Sequence, residues 1–166
     1  MPLKTPRDLF LHELSDTMSA EHIVLKMLGE LESEADNKDA KAAFKHHKSE
    51  TESQIKNLEK VFTQLGEEPE DTTCHAAEGL KKEHQALHEE QPSPMVLEMG
   101  NLAGAAKTEH YEIASYTALV QMAGDLGEKE VAALLKENLD QEKEMAKKVE
   151  SIAKQVGKEA KAEAAA

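Results

Sequence analysis

Glutamate and histidine side chains stand where four long amphipathic stretches ought to be burying leucine, and that misplacement limits what this 166-residue chain can fold into. Apolar residues recur along it at the three-to-four residue step of a helix. Between Gly127 and Val156 the stripe reads Leu135, Leu139, Glu142, Met145, Val149, Ile152, Val156, so Glu142 occupies a core position. Between Ser93 and Gly124 it reads Met99, Leu102, Ala106, Glu109, Ile113, Tyr116, Val120, with Glu109 as the intruder. The first stretch gives Leu14, Thr17, Glu21, Leu25 or Val24, Leu28, Leu31, interrupted by Glu21. The second gives Phe44, His47, Thr51, Ile55, Leu58, Phe62, Leu65, which turns His47 inward, with Glu50 one turn on along the same side.

Local signals delimit these stretches. Thr5 is placed to cap a first helix with Pro6 at its first position and Asp8 in its first turn; this helix runs to about Ala35. A turn at Asp36-Asn37-Lys38 leads to a second helix, Asp39 to Leu65, stopped by Gly66 with Pro69 beyond. Ser93-Pro94 opens a third long helix that ends near Gly124, and a fourth runs from about Gly127 to Val156, with Gly157 as its stop. The first two and the last two read as antiparallel hairpins. Between them lies a connector, Glu67 to Pro92, with a helical piece at Ala76 to Glu89. One long crossover between two hairpins is the ferritin-like arrangement of a four-helix bundle, whereas simple up-down bundles use short loops throughout. The expectation is therefore an all-α, ferritin-like bundle over residues 1–157, followed by a frayed tail at 158–166. Aromatic residues make up 3% of the chain and Trp is absent, which suits helices better than pleated sheets. Ala20-Glu21-His22 and Thr108-Glu109-His110 also match, as do Gln64-Leu65-Gly66 and Gln155-Val156-Gly157, in the manner of an approximately duplicated hairpin.

Helix midpoints fall near residues 20, 52, 109 and 141, next to the intruding side chains. Antiparallel helices of similar length have their midpoints at one height, so Glu21, His47, Glu50, Glu109 and Glu142 should converge on one layer. Glu112, three residues after Glu109, can join them. Several carboxylates in a dry layer repel one another, and each unpaired one costs several kcal/mol. Bound divalent metal compensates directly, and carboxylate-bridged pairs of iron or manganese ions sit inside helical bundles in this way. The expectation is two divalent ions per chain, iron ahead of manganese, that react with oxygen or peroxide. Glu50 with Glu142, or Glu50 with Glu112, are the candidate bridges, Glu21 and Glu109 the terminal ligands, and His47 the nitrogen ligand, with His46 as the alternative inward histidine. Tyr116, two turns after Glu109, lies close enough to the layer to be a candidate catalytic residue. The competing reading is a metal-free structural or interaction bundle whose polar layer sets helix register. His12, His22, His75, His84, His88 and His110 have no spacing that specifies a tetrahedral zinc site and read as solvated.

The formal net charge of −13 disfavours nucleic acid, whose binding needs clustered Lys and Arg. No stretch has the eighteen or so uninterrupted apolar residues of a membrane-spanning helix, so no membrane role is expected. Cys74 is the single cysteine, and the N-terminus lacks the apolar run of a signal peptide, so a cytoplasmic location is expected.

The segments Ser15 to Glu21, His47 to Glu52, Glu109 to Tyr116 and Asp140 to Lys143 resemble the YciE/YciF-type ferritin-like stress proteins of bacteria, over nearly the whole chain. That resemblance implies a bundle related to the rubrerythrins, a homodimer rather than a storage cage, and metal ligands at Glu21, His47, Glu50, Glu109, Glu112 and Glu142. The chain departs from rubrerythrins and bacterioferritins in three places. His47 precedes Glu50 where those proteins place Glu before His, Met145 follows Glu142 where a histidine is expected, and Leu28 stands where an aromatic is common. A site poor in nitrogen leaves room for manganese.

Overall fold

A computed structural model describes residues 3–163. Five helices follow one another: α1 (Pro6–Glu34), α2 (Lys38–Leu65), α3 (His75–Glu89), α4 (Pro94–Asp125) and α5 (Lys129–Glu163). The first two carry the expected chemistry at their ends, whereas Ser93 precedes Pro94 at the start of α4 without a side-chain cap bond. The Thr5 hydroxyl accepts from the Asp8 amide, and the Asp8 carboxylate accepts from the Thr5 amide in return, a reciprocal box that satisfies two free amides of the first turn. Asn37 caps α2, accepting from the amides of Asp39 and Ala40. Gly66 ends that helix at φ 69°, a left-handed conformation in which a side chain would be strained. Gly157 does not repeat this. It lacks a positive φ, so α5 runs through the expected stop to Glu163, and Gln155 donates to Glu159 across it at 3.2 Å. The remainder of the expected tail, 164–166, lies outside the described residues.

The four long helices form a ring in which α1 packs on α2, α2 on α5, α5 on α4 and α4 on α1. The crossover helix α3 lies outside the ring against α4 and α1. With its ferritin-like bundle and its single long crossover, the fold has the expected topology.

The core of this bundle is split. One apolar cluster joins Phe10 and Leu14 of α1, Leu58 and Val61 of α2, Tyr116 and Leu119 of α4, and Val131 and Leu135 of α5. A second joins Val24 and Leu28, Ala40 and Phe44, Leu102 and Ala105, and Val149 and Ile152 of the same four helices. Between the two clusters each helix contributes buried polar residues: Glu21 from α1, His47, Thr51 and Gln54 from α2, Thr108, Glu109 and Glu112 from α4, Asn138 and Glu142 from α5. The side-chain stripes thus cross one polar layer at the bundle's middle.

The stripe of α4 sits one position round from the expected one. Its inward residues are Leu102, Ala105, Glu109, Glu112, Tyr116 and Leu119, while Met99 is 45% exposed. This helix is apolar nearly all round because it covers α1, α5 and α3 at once, so its periodicity points weakly. Gly100 makes the contact with α3 close: a Cβ there would collide with a methyl of Leu87. From the same end of α4, the buried Glu98 accepts from the amides of Asp36 and Asn37 and pins the α1–α2 turn.

Candidate metal centre

His47, not His46, is the inward histidine: its side chain is fully buried, whereas that of His46 is 65% exposed. Its two ring nitrogens face different ways. Nδ1 lies 3.0 Å from a Glu50 oxygen at the rim of the bundle, and Nε2 points across the layer, 3.4 Å from both Glu109 Oε2 and Glu142 Oε2. A ligand atom from each of His47, Glu109, Glu112 and Glu142 lies within 4.8 Å of the others, an arrangement that could hold a metal ion. Glu21 is buried beside them, accepting a hydrogen bond from the Tyr116 hydroxyl. Glu50 is not in the cluster. Its position behind the imidazole is that of a carboxylate which fixes a histidine's ring orientation and tautomer.

A chain of amides supports these groups. Gln54 donates to Glu142 Oε1. Asn138 donates to the Tyr116 hydroxyl at 3.1 Å and to the Gln54 carbonyl at 3.3 Å, and receives a bond of 2.9 Å from Asn57. Sequence reasoning missed Gln54, Asn57 and Asn138, though a signal existed. Gln54 lies four residues after Glu50 and Asn138 four before Glu142, so each shares a helix face with a residue already singled out. His22 and His110, next to Glu21 and Glu109 in the duplicated motif, point outward as expected.

The support is one-sided. Gln54 and Tyr116 each fix one oxygen of a carboxylate, and the opposite oxygens accept no hydrogen bond. Glu21 Oε2, Glu109 Oε2, Glu142 Oε2, both oxygens of Glu112 and His47 Nε2 are all buried without a hydrogen-bond partner. Each orphaned polar atom costs about 1–3 kcal/mol, so a native fold with several in one layer calls for a ligand that answers them together. One imidazole among four buried carboxylates is a hard, oxygen-rich set that fits iron(II) or manganese(II) better than a thiolate-seeking ion.

Charge is unbalanced in the same layer. Burial, then the Glu142 charge, pushes the Glu21 carboxyl up to about 8 against the Tyr116 hydrogen bond. Burial pushes Glu109 up to about 8 against the opposing influence of His47. Glu112 is raised well above the carboxylate range by burial and then by the Glu142 and Glu21 charges. Burial alone would lower His47, but the Glu109 charge, then the Glu142 and Glu50 carboxylates beside its ring nitrogens, outweigh it, so the ring is held protonated above its ordinary range. Glu50 is lowered by its bond to His47. Tyr116, raised by burial and the Glu21 charge, keeps its proton and serves as a donor. Protons thus stand where cations would bind.

The sequence profile of the family described as a domain of unknown function, DUF892, matches residues 5–163. The chain is 38% identical over 144 residues to protein YciF of Escherichia coli strain K12, covering 86% of this chain and 87% of that protein. Against the crystal structure of the E. coli stress protein YciF the TM-score is 0.90 at 36% identity, covering 94% of this chain and 99% of the other. YcfI of Rhodopseudomonas palustris, described as a candidate structural protein, superposes with a TM-score of 0.87 at 36% identity, covering 90% and 95%.

Proposed function

Because this chain belongs to the DUF892 family, a group whose function its description leaves open, we propose from the geometry of the site that it is a dinuclear metal protein of the ferritin-like class. The observation that carries this reading is the set of buried carboxylate oxygens, with one imidazole nitrogen, that face one another without hydrogen bonds. Glu109, Glu112, Glu142 and His47 Nε2 would hold the ions, with Glu21 completing the set from α1. Two bound iron ions, or manganese as the alternative, supply one-electron redox chemistry toward oxygen or peroxide.

The chain's own groups have distinct parts. Glu50 holds the His47 ring by Nδ1, which leaves Nε2 for the layer. Gln54 and Tyr116 each hold one oxygen, of Glu142 and of Glu21 respectively, by a hydrogen bond while leaving the other oxygen free to bind. Tyr116 retains its proton at the edge of the layer, where it can stabilise charge on Glu21. The flanking apolar clusters keep bulk water from both sides. On the surface, Glu50, Glu137, Asp140, Gln141 and Glu144 line a hollow that would draw cations toward His47.

Native mass spectrometry of the full chain is expected to show uptake of about two iron(II) or manganese(II) ions. No uptake of either ion would leave the second reading, a structural bundle, which is favoured by the amide chain through Gln54, Asn138 and Asn57 that ties α2 to α5. A second copy of the chain is the proposed partner, and Val96 and Met99, three residues apart on the outer face of α4 and 51% and 45% exposed, suit such a contact. Light scattering should then give a mass of about twice 18.3 kDa. The mass of a single chain, or that of a cage, would refute the dimer.

A further inference from the structure

Outside the bundle, at the junction of α1 and α3, a second group of side chains has the composition of a metal site. His84 and His88 stand four residues apart on α3, which puts both imidazoles on one face. Their rings meet edge to face, with centroids 4.9 Å apart. Both aim Nε2 at the carboxylate of Glu34, the last residue of α1: His84 at 3.6 Å from Oε1, His88 at 3.1 Å from Oε2. The three residues offer ligand atoms within 4.8 Å of one another. The sequence reading of His84 as solvated is corrected here, since its side chain is only 8% exposed, whereas that of His88 is exposed as expected. Sequence spacing missed the group because the third member comes from a helix fifty residues earlier.

Two neighbours behave as supporting groups. Asn101 of α4 donates to Glu34 Oε2 at 3.0 Å and holds the carboxylate in place. Glu30, one turn before Glu34, brings a further oxygen to 3.7 Å from His84 Nε2, within reach of a fourth coordination position. Ligands of a tetrahedral ion bound at about 2.0–2.1 Å lie roughly 3.3 Å apart, close to the separations found. Two imidazoles with a carboxylate match borderline ions such as zinc(II), whereas calcium and magnesium prefer all-oxygen sets.

We propose that Glu34, His84 and His88 form a second metal site, for a single zinc-class divalent ion, that clips the crossover helix to the bundle. The clip answers a weakness of that helix. Of the residues of α3 only Ala77 is fully enclosed, so little apolar burial holds it down, and its C-terminal half, where the histidines lie, has the least. The site is independent of the core layer: none of its residues belongs to the buried cluster around His47.

Zinc(II) titration of the full chain, followed by native mass spectrometry and by hydrogen exchange of residues 75–89, tests the proposal. The comparison is with the variant carrying His84→Gln and His88→Gln, and separately with Glu34→Gln. The wild type is expected to take up one zinc ion more per chain than either variant, whatever the core layer binds. At free zinc about a hundred times its dissociation constant, opening of α3 should slow about a hundredfold in the wild type and remain unchanged in the variants. Equal zinc stoichiometry in wild type and double variant, or zinc-independent exchange of α3 in the wild type, would overturn the site. Circular dichroism establishes that each variant retains the helical fold, and Glu34→Gln removes a ligand without touching α3 should the histidine pair prove necessary for its folding.

Discussion

Replacing Glu112 by leucine is expected to make the metal-free protein more stable and at the same time to take away its capacity for a pair of metal ions. Glu112 is 2% exposed, and neither of its oxygens has a hydrogen-bond partner. The fold therefore bears its desolvation without return, with the Glu142 and Glu21 charges adding to the cost. Leucine is of similar size and needs no partner, and substituting buried charges by packed apolar residues is stabilising by about 1–4 kcal/mol in comparable cases. For a chain of this length, each kcal/mol moves the melting midpoint by roughly 2–4 °C. An exposed carboxylate such as Glu52, replaced in the same way, should change stability by no more than about 0.5 kcal/mol in either direction. Metal counting on the same Glu112→Leu sample should fall below the wild-type value. Thermal unfolding of the metal-free proteins decides the first half. A variant markedly less stable than the parent would mean that Glu112 is satisfied in the native state and that the layer carries no surplus of unanswered carboxylates. Gain of stability with loss of metal is the signature of residues kept for binding rather than for folding.

The stability of the metal-free protein should fall steadily as pH rises from 4.5 toward 8, while that of the metal-loaded protein should rise over the same range. Glu21 and Glu109 have an ordinary value of 4.5 and are held at about 8 in the fold. In that window the folded state keeps protons that the unfolded chain has released, so raising the pH favours unfolding, by up to about 1.4 kcal/mol per pH unit for each proton of difference. His47 acts in the same direction. Its folded value lies well above 6.5, so its contribution is complete below 6.5 and is lost as pH rises through the folded value. Glu50 has the opposite sign, because its folded value is depressed by the bond to His47. Its contribution is present above 4.5 and is lost only at the acid end, as pH falls through the folded value. Metal reverses the main slope, since ions bind the deprotonated ligands and compete better as protons become scarce. Urea unfolding of metal-free and loaded samples at several pH values would reveal the two slopes. Glu21→Gln combined with Glu109→Gln should flatten the metal-free profile. Parallel profiles, or an unchanged profile in the double variant, would place those carboxylates in water and remove the basis of the proposed centre.

Periodicity and punctuation were enough to determine the helices, their pairing and the height of the polar layer. Thr5-Pro6, Gly66 and Ser93-Pro94 mark helix ends through backbone constraints that act within a few residues, and these marks hold in the fold. Glu21, His47, Glu109 and Glu142 were legible because a charged group at the centre of an apolar stripe has no cheap local explanation. The 26 residues between the hairpins likewise fixed the crossover, since only a long connection can span a bundle. What the tertiary structure decided is which atoms meet. Glu50 shares a helix face with His47, yet the side-chain direction sends it to Nδ1 at the rim and leaves the centre to Glu112 of another helix. Gln54 and Asn138 are unremarkable polar residues until α2 and α5 come into contact. Gly157 carries the stop signal of Gly66 without its left-handed backbone, because a glycine only permits the turn that surrounding contacts must require. Glu34, His84 and His88 lie on two helices, α1 and α3, that meet only in the folded bundle, where Leu87 of α3 also sits over Gly100 of α4. Local sequence determines conformation through short-range sterics and hydrogen bonds, whereas a site assembled from four helices, or from a helix and a crossover, depends on long-range packing that no single stretch encodes.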